Sequence, residues 1–333
     1  MKNVVFILSI LSFCLAFIGL EPLFEKPSHF PAPVYDFEKN PLSAEKIELG
    51  KALFYDPILS KNNTISCESC HSPYSAFTHI DHALSHGIND SIGTRNSPAL
   101  FNLAWQKQFM WDGAINHLEV QALAPISHPA EMGSSIAEVV NKLNASKKYK
   151  ALFYTAYKDS VATGERTLKN LAQFMLTLVS ANSKYDQVLK HEAEFTKQEN
   201  KGYQLFKLHC ATCHAEPLLS SYGFENNALP LDSNLKDLGR MRITKRTVDS
   251  LFFKVPSLRN VEYSYPYMHD GRFKKLSEVI NHYSAAVTHN KRLAERMKRS
   301  TVFSPEEKVE LISFLLTATD RSFAFNLQHR PKK

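Results

Sequence analysis

Cys67-Glu68-Ser69-Cys70-His71 and Cys210-Ala211-Thr212-Cys213-His214 share one pattern, a CxxC pair followed directly by a histidine. This is the attachment signature of c-type haem: the two thiols add to the porphyrin vinyl groups, and the adjacent histidine is thereby placed as an axial iron ligand. A zinc ribbon would leave both histidines unexplained, and a redox CxxC pair would need neither of them. The chain has 5 cysteines. Cys14 lies in the N-terminal apolar run, so the two motifs use all the others and leave none for an ordinary disulfide. Two covalent c-type haems follow, bound through Cys67, Cys70, Cys210 and Cys213, with His71 and His214 on the irons.

Working outward, 333 residues with 44% hydrophobic and 22% charged side chains and 11 glycines exclude disorder, collagen and small disulfide scaffolds. The length allows two packed domains, each able to bury its own core. Lys2 precedes an uncharged apolar run from Val4 to Leu20 and then a polar, proline-bearing stretch from Glu21 to Pro33, which reads as an export signal over residues 1–20 and a periplasmic location. The run is at the lower edge of a bilayer span, so an uncleaved N-terminal anchor stays open. Phe13 before Cys14, and the apolar run continuing past it, argue against a lipoprotein site. Removing residues 1–20 deletes only Lys2 and takes the formal charge from +7 to +6. That excess suits mild steering of a partner and not nucleic-acid binding.

Helical spacing dominates, and alternating strand patterns are almost absent, so the class is mainly α. Ser43 opens a helix through Leu49, Leu53 and Phe54; Ser134 and Ser135 introduce a second, broken near Asn144; Thr167 to Ala181 is a third and strongly apolar one. Thr196 with Glu199, and Ser304 with Glu307, form capping boxes, the latter with Pro305 at the first helical position. A Leu-Phe pair, Leu53-Phe54 or Leu205-Phe206, leads into each cysteine motif, so the two halves echo each other. The polar segment Ser183 to Phe195 is the expected boundary. It divides the chain into 21–190 and 191–333, two cytochrome c-like domains with one haem each.

Several further strings recur in order. Leu49-Gly50-Lys51, Asp56-Pro57, Thr94-Arg95-Asn96-Ser97-Pro98, Trp111-Asp112-Gly113, Gln121, Pro125 and His128-Pro129-Ala130-Glu131-Met132-Gly133 come before the second haem motif or around the first. Val255-Pro256-Ser257-Leu258-Arg259-Asn260 and Tyr265-Pro266-Tyr267-Met268-His269-Asp270-Gly271 come after the second. Over about residues 42–320 the chain closely resembles the bacterial diheme cytochrome c peroxidase family, which includes the MauG-type diheme enzymes.

The resemblance implies that the haem of His71 is peroxidatic and that the haem of His214 passes it electrons. Gln121, Pro125 and Glu131 match the family's distal-pocket spacing. Peroxide heterolysis needs a group that takes a proton from one peroxide oxygen and returns it to the other. Glu131 is the candidate general acid/base, against the bland reading of a solvated loop glutamate. Trp111 matches the family's tryptophan between the haems, a stepping stone for electrons that can equally be a packing residue. By the same resemblance Asn96 and the carbonyls of Ser264 and Pro266 hold a calcium ion, with waters completing its shell. His86, followed by Gly87, sits in the loop where many relatives carry a removable sixth ligand to the peroxidatic iron; His82 competes for that place, His79 less so, and a surface histidine is the alternative. Glycine there suits a loop that must rearrange.

One position departs from the peroxidase pattern. Where those enzymes place a methionine on the second iron, this chain has Tyr283, as the MauG-type enzymes do. A thioether favours reduced iron and raises the potential, whereas a phenolate oxygen favours oxidised iron. Met268 is the rival ligand, and a packing role for Tyr283 on the helix Leu276 to Ser284 is the bland reading. The function implied is reduction of hydrogen peroxide to water with electrons from a small c-type cytochrome or similar carrier. A MauG-like oxidation of a protein or small-molecule substrate is the alternative, and a non-enzymatic diheme electron-transfer protein is a third reading. A homodimer is compatible with the sequence, which does not fix the oligomeric state.

Overall fold

The computed structural model describes residues 22–285 and 302–331; the export signal expected over residues 1–20 lies outside them. The described residues are mainly helical. In chain order the helices are α1 (Ala44–Tyr55), α2 (Leu118–Gln121), α3 (Leu123–Ser127), α4 (Ile136–Ala145), α5 (Lys147–Tyr157), α6 (Gly164–Leu176), α7 (Lys184–Leu189), α8 (Lys197–His209), α9 (Met241–Thr244), α10 (Leu276–Ala285), α11 (Pro305–Leu316) and α12 (Arg321–Ala324). A two-stranded antiparallel ribbon pairs β1 (Phe224–Glu225) with β2 (Phe253–Lys254).

The helix starts follow their caps. Ser43 accepts from the Lys46 N–H, and Ser135, Thr196 and Ser304 each form the reciprocal pair with a glutamate three residues on. α6 differs from its expected bounds at both ends. It is capped by Thr163, so it begins earlier. It stops at Leu176, where Thr177 N and Leu178 N tighten onto the Phe174 and Met175 carbonyls, and beyond that turn Ser180 donates to Asn102 Oδ1 and Ala181 and Asn182 donate to Asp320 Oδ2.

Each half is organised around a crossing of two helices at a glycine. A Cβ added at Gly50 of α1 would lie 1.8 Å from the Asn170 carbonyl of α6, and one at Gly202 of α8 would lie 1.9 Å from the Glu310 carbonyl of α11. Only a residue without a side chain lets the two backbones approach this closely. Three residues after each glycine come Leu53-Phe54 and Leu205-Phe206; Leu53, Phe54 and Phe206 are buried. The first crossing sits in a core with Leu171, Phe174, Phe77 and Trp105, the second in one with Tyr185, Leu311 and Phe314.

The segment expected to be a polar linker is partly a packed helix. In α7, Ser183 and Asp186 cap each other, while Tyr185 and Asp186 are fully buried. The last turns also return to the N-terminal core: Phe323 of α12 sits 5.8 Å, centroid to centroid, from both Phe77 and Phe101, and the Tyr55 hydroxyl donates to the His329 carbonyl. A cut at residue 190 therefore divides the sequence more cleanly than the packing.

Candidate active site

The two motifs fold alike. In the first, a single 3-10 turn (Cys67–Ser69) lets Cys70 N and His71 N donate back to the Cys67 carbonyl at 3.2 and 2.9 Å. In the second, which caps α8, Cys213 N and His214 N donate to the Cys210 carbonyl at 3.1 and 2.9 Å. Each turn brings two thiols and an imidazole to one wall of a cavity. A cavity of about 660 Å³ is lined by Cys67, Cys70 and His71, and one of about 330 Å³ by Cys210, Cys213 and His214. Both fall in the range of cofactor sites, roughly 300–1,000 Å³.

The histidines are held ready for a metal. His71 Nδ1 lies 3.0 Å from the Phe77 carbonyl, and His214 Nδ1 lies 3.1 Å from the Pro256 carbonyl. A carbonyl only accepts, so Nδ1 carries the proton and Nε2 keeps its lone pair. Burial pushes both imidazoles down to about 4, which keeps them neutral. Two thiols and an oriented neutral imidazole on one cavity wall fit covalent haem at both motifs.

The larger cavity also collects the residues expected on the reactive face. Gln121 from the end of α2, Pro125 from α3 and Glu131 from the following turn all line it, as does His86. Burial raises the Glu131 carboxyl above its ordinary range, and His128 opposes the shift only in part. Gln121 Nε2 lies 3.7 Å from Met110 Sδ.

His86 is set apart from its two competitors, because neither His79 nor His82 is among the residues lining that cavity. His82 stacks on His86 with ring centroids 3.9 Å apart, and His79 Nε2 lies 3.0 Å from His82 Nδ1. Gly87 also meets a local packing requirement. A Cβ there would lie 2.3 Å from the Ala130 carbonyl and 2.4 Å from the Glu131 carbonyl, and Ile88 N donates to Glu131 O at 2.8 Å. Glycine lets the His86 loop lie flat against the backbone of Glu131.

Trp111 lines both cavities, and its Nε1 donates to the Asn96 carbonyl at 2.8 Å. Tyr283 on α10 and Met268 both line the smaller cavity. Burial pushes the Tyr283 hydroxyl up to about 12, and the Asn227 amide bonds it. Asn227 Nδ2 also lies 3.4 Å from Met268 Sδ. Asn96, Ser264 and Pro266 line this cavity as well. Asn96 Nδ2 donates to the Ala83 carbonyl at 3.0 Å. Among the described residues no group of three or more His, Cys, Asp or Glu is placed to hold a metal, so a calcium ion here would rest on neutral oxygens.

Two ionic features escaped the reading of the sequence. Arg95 bridges the halves, bonding Asp112 at 2.7 Å and Asp237 at 2.6 Å beside the larger cavity. Lys254 is buried against the smaller one. Arg95 stood within a recurring string and Lys254 just before one, but nothing in one chain's letters told which charges would be buried together.

Residues 44–194 match the family model described as di-haem cytochrome c peroxidase, and residues 199–319 match the one described as cytochrome c. The chain is 34% identical to the methylamine utilization protein MauG of Methylorubrum extorquens over 94% of its own length and 88% of that protein's. The chain belongs to the di-haem cytochrome c peroxidase family. It is a haem-dependent oxidoreductase of that family carrying two c-type haems. Cytochrome c551 peroxidase of Nitrosomonas europaea is 33% identical, with 87% of this chain and 85% of that one covered. The fold matches that of a MauG-like protein associated with microbial copper homeostasis, with a TM-score of 0.82, 30% identity, and 92% and 98% of the two chains covered. Both branches of the family are thus represented among its relatives.

Proposed function

We propose that the chain is an exported peroxidase that reduces hydrogen peroxide to water, taking electrons from a small c-type cytochrome or similar carrier. The observation that carries this reading is the gathering of Gln121, Pro125 and Glu131 on the cavity that holds Cys67, Cys70 and His71. Each peroxide takes up two electrons and two protons and leaves as two waters. When bound, the haem iron supplies the redox centre at which the O–O bond breaks. Glu131 takes the proton from one peroxide oxygen and delivers it to the other, and its raised pKa suits both transfers. The Gln121 amide orients the peroxide above the cavity floor, and Pro125 keeps that wall apolar.

Electrons enter at the half that carries His214 and pass Trp111, the aromatic residue that lines both cavities together with Asn96, Ser97 and Pro98. The two halves act as domains 21–190 and 191–333, with the last turns strapped back onto the first. Asn96 and the carbonyls of Ser264 and Pro266 hold calcium at their junction. The leader over residues 1–20 directs the chain to the periplasm; no helix among the described residues is long and apolar enough to cross a membrane.

His86 closes the reactive iron in the resting state. The test is steady-state peroxide turnover with a reduced small c-type cytochrome, run on oxidised and half-reduced protein. The oxidised protein is expected to be sluggish, half-reduction to expose a high-spin haem, and His86→Gly to be active without prior reduction. An unchanged lag in that variant removes His86 from the gate.

The MauG-like reading draws support from Tyr283, which lines the cavity of His214 where a ligand oxygen is needed. Tyr283→Phe is expected to open a coordination site on that haem alone, read by magnetic circular dichroism. A methionine–iron charge-transfer band in the unaltered protein would instead assign the position to Met268 and favour the plain peroxidase.

A further inference from the structure

Lys254 lines the smaller cavity, as do Trp111, Gln106 and the His214 motif. The side chain is buried, and β2 fixes its backbone: Lys254 N donates to the Trp111 carbonyl at 2.7 Å. Its Nζ donates to Gln106 Oε1 at 2.6 Å and to the Gln108 carbonyl at 3.2 Å, both neutral acceptors. An ammonium has three donors, so one remains beyond these two acceptors, and the Phe109 ring, 6.0 Å from Nζ, offers it a π-face but no anion. The carboxylate whose charge reaches it is that of Asp112. That group is already engaged, accepting from Arg95 Nη1 at 2.7 Å and from the Ala114 N–H at 3.1 Å. No ion pair among the described residues includes Lys254. A buried cation without a partner anion is costly, and proteins keep one where an anion arrives with a ligand. Burial without that anion drives the amine down to about 7.

We propose that Lys254 pairs with a propionate carboxylate of the haem bound at Cys210 and Cys213, and that its charge raises the reduction potential of that haem. The cavity that Lys254 lines belongs to this haem, and the propionates are the anions it brings. A fixed positive charge at that edge stabilises reduced over oxidised iron. Lys254 is a positioning and tuning residue, and its backbone bond to Trp111 places the tuned edge beside the electron route. The inference rests on haem attachment at the second motif and not on the peroxidase reading.

The test is spectroelectrochemical titration of the full protein with both haems attached. At the potential where the His214 haem of the unaltered protein is half reduced, Lys254→Gln is expected to lower its ratio of reduced to oxidised iron by at least about threefold. Lys254→Arg, which keeps the charge, is expected to restore the ratio. An unchanged midpoint in Lys254→Gln, or the same shift in both variants, overturns the proposal. If Lys254→Gln does not retain two haems, the propionate bending band in the resonance Raman spectrum of Lys254→Arg decides. A shifted band supports the pairing, and a band identical to that of the unaltered protein overturns it.

Discussion

Replacing Glu131 by glutamine is expected to leave both haems attached and to lower peroxide turnover by ~10²–10⁴-fold, the usual cost of losing a general acid/base. The amide keeps the size and hydrogen bonding of the side chain, but it neither accepts nor returns a proton. The backbone of residue 131 is held by its own N–H to the His128 carbonyl at 3.0 Å and by Ile88 N on its carbonyl at 2.8 Å, so the loop should stay in place. The pH profile gives a second readout. Because burial raises the Glu131 carboxyl, the unaltered protein should show an ionisation above the ordinary carboxylate range. That ionisation should vanish in Glu131→Gln. Near-normal turnover in the variant would mean that another group handles the proton.

The largest effect on stability is expected at Arg259. Its guanidinium is fully buried and grips Asp186 with Nη1 at 2.8 Å and Nη2 at 2.6 Å. Asp186 also accepts from the N–H and hydroxyl of Ser183 and meets His29 Nε2 at 2.7 Å. This one carboxylate ties together the N-terminal arm, α7 and the segment after the second haem motif. Arg259→Met leaves it buried without its cation, a loss of about 3–5 kcal/mol. Denaturant unfolding of the two-haem protein measures it, and a change within about 0.5 kcal/mol would remove the pair from the core's support.

The pH dependence has a definite sign. Burial pushes Asp186 up, but the Arg259 bonds, helped by those of Ser183, outweigh it and hold the carboxyl below its ordinary value of 3.8. The pair's contribution is therefore fully present above that value and is lost as pH falls through the lower folded pKa. In Arg259→Met the Ser183 bonds still favour the carboxylate, but the largest opposition to burial is gone, so the carboxyl rises and protonation relieves the buried charge. The stability gap between the two proteins should narrow on acidification. A gap that widens would contradict the assignment.

The letters alone determined the haem chemistry, the helical class and most helix starts. These are local properties: a CxxCH motif closes its own turn, and Ser135, Thr196 and Ser304 cap the helices that they precede. The order of the motifs was also enough to name the residues that gather on the larger cavity, since Gln121, Pro125 and Glu131 sit close together in sequence. The glycines at 50 and 202 were readable as echoes, three residues before each Leu-Phe pair, but their reason was not. It lies in Asn170 and Glu310, more than a hundred residues away in each case. The same holds for the segment after α6, where Asn102 and Asp320 accept the N–H groups of residues 180–182, and for Gly87, which lies against the backbone of Glu131. Single positions such as Lys254 and Arg259 look like any surface cation in the sequence. Whether a charge is buried, and against which partner, depends on segments that meet only when the chain has packed, so the tertiary structure alone decided which cations support the core and which face a haem.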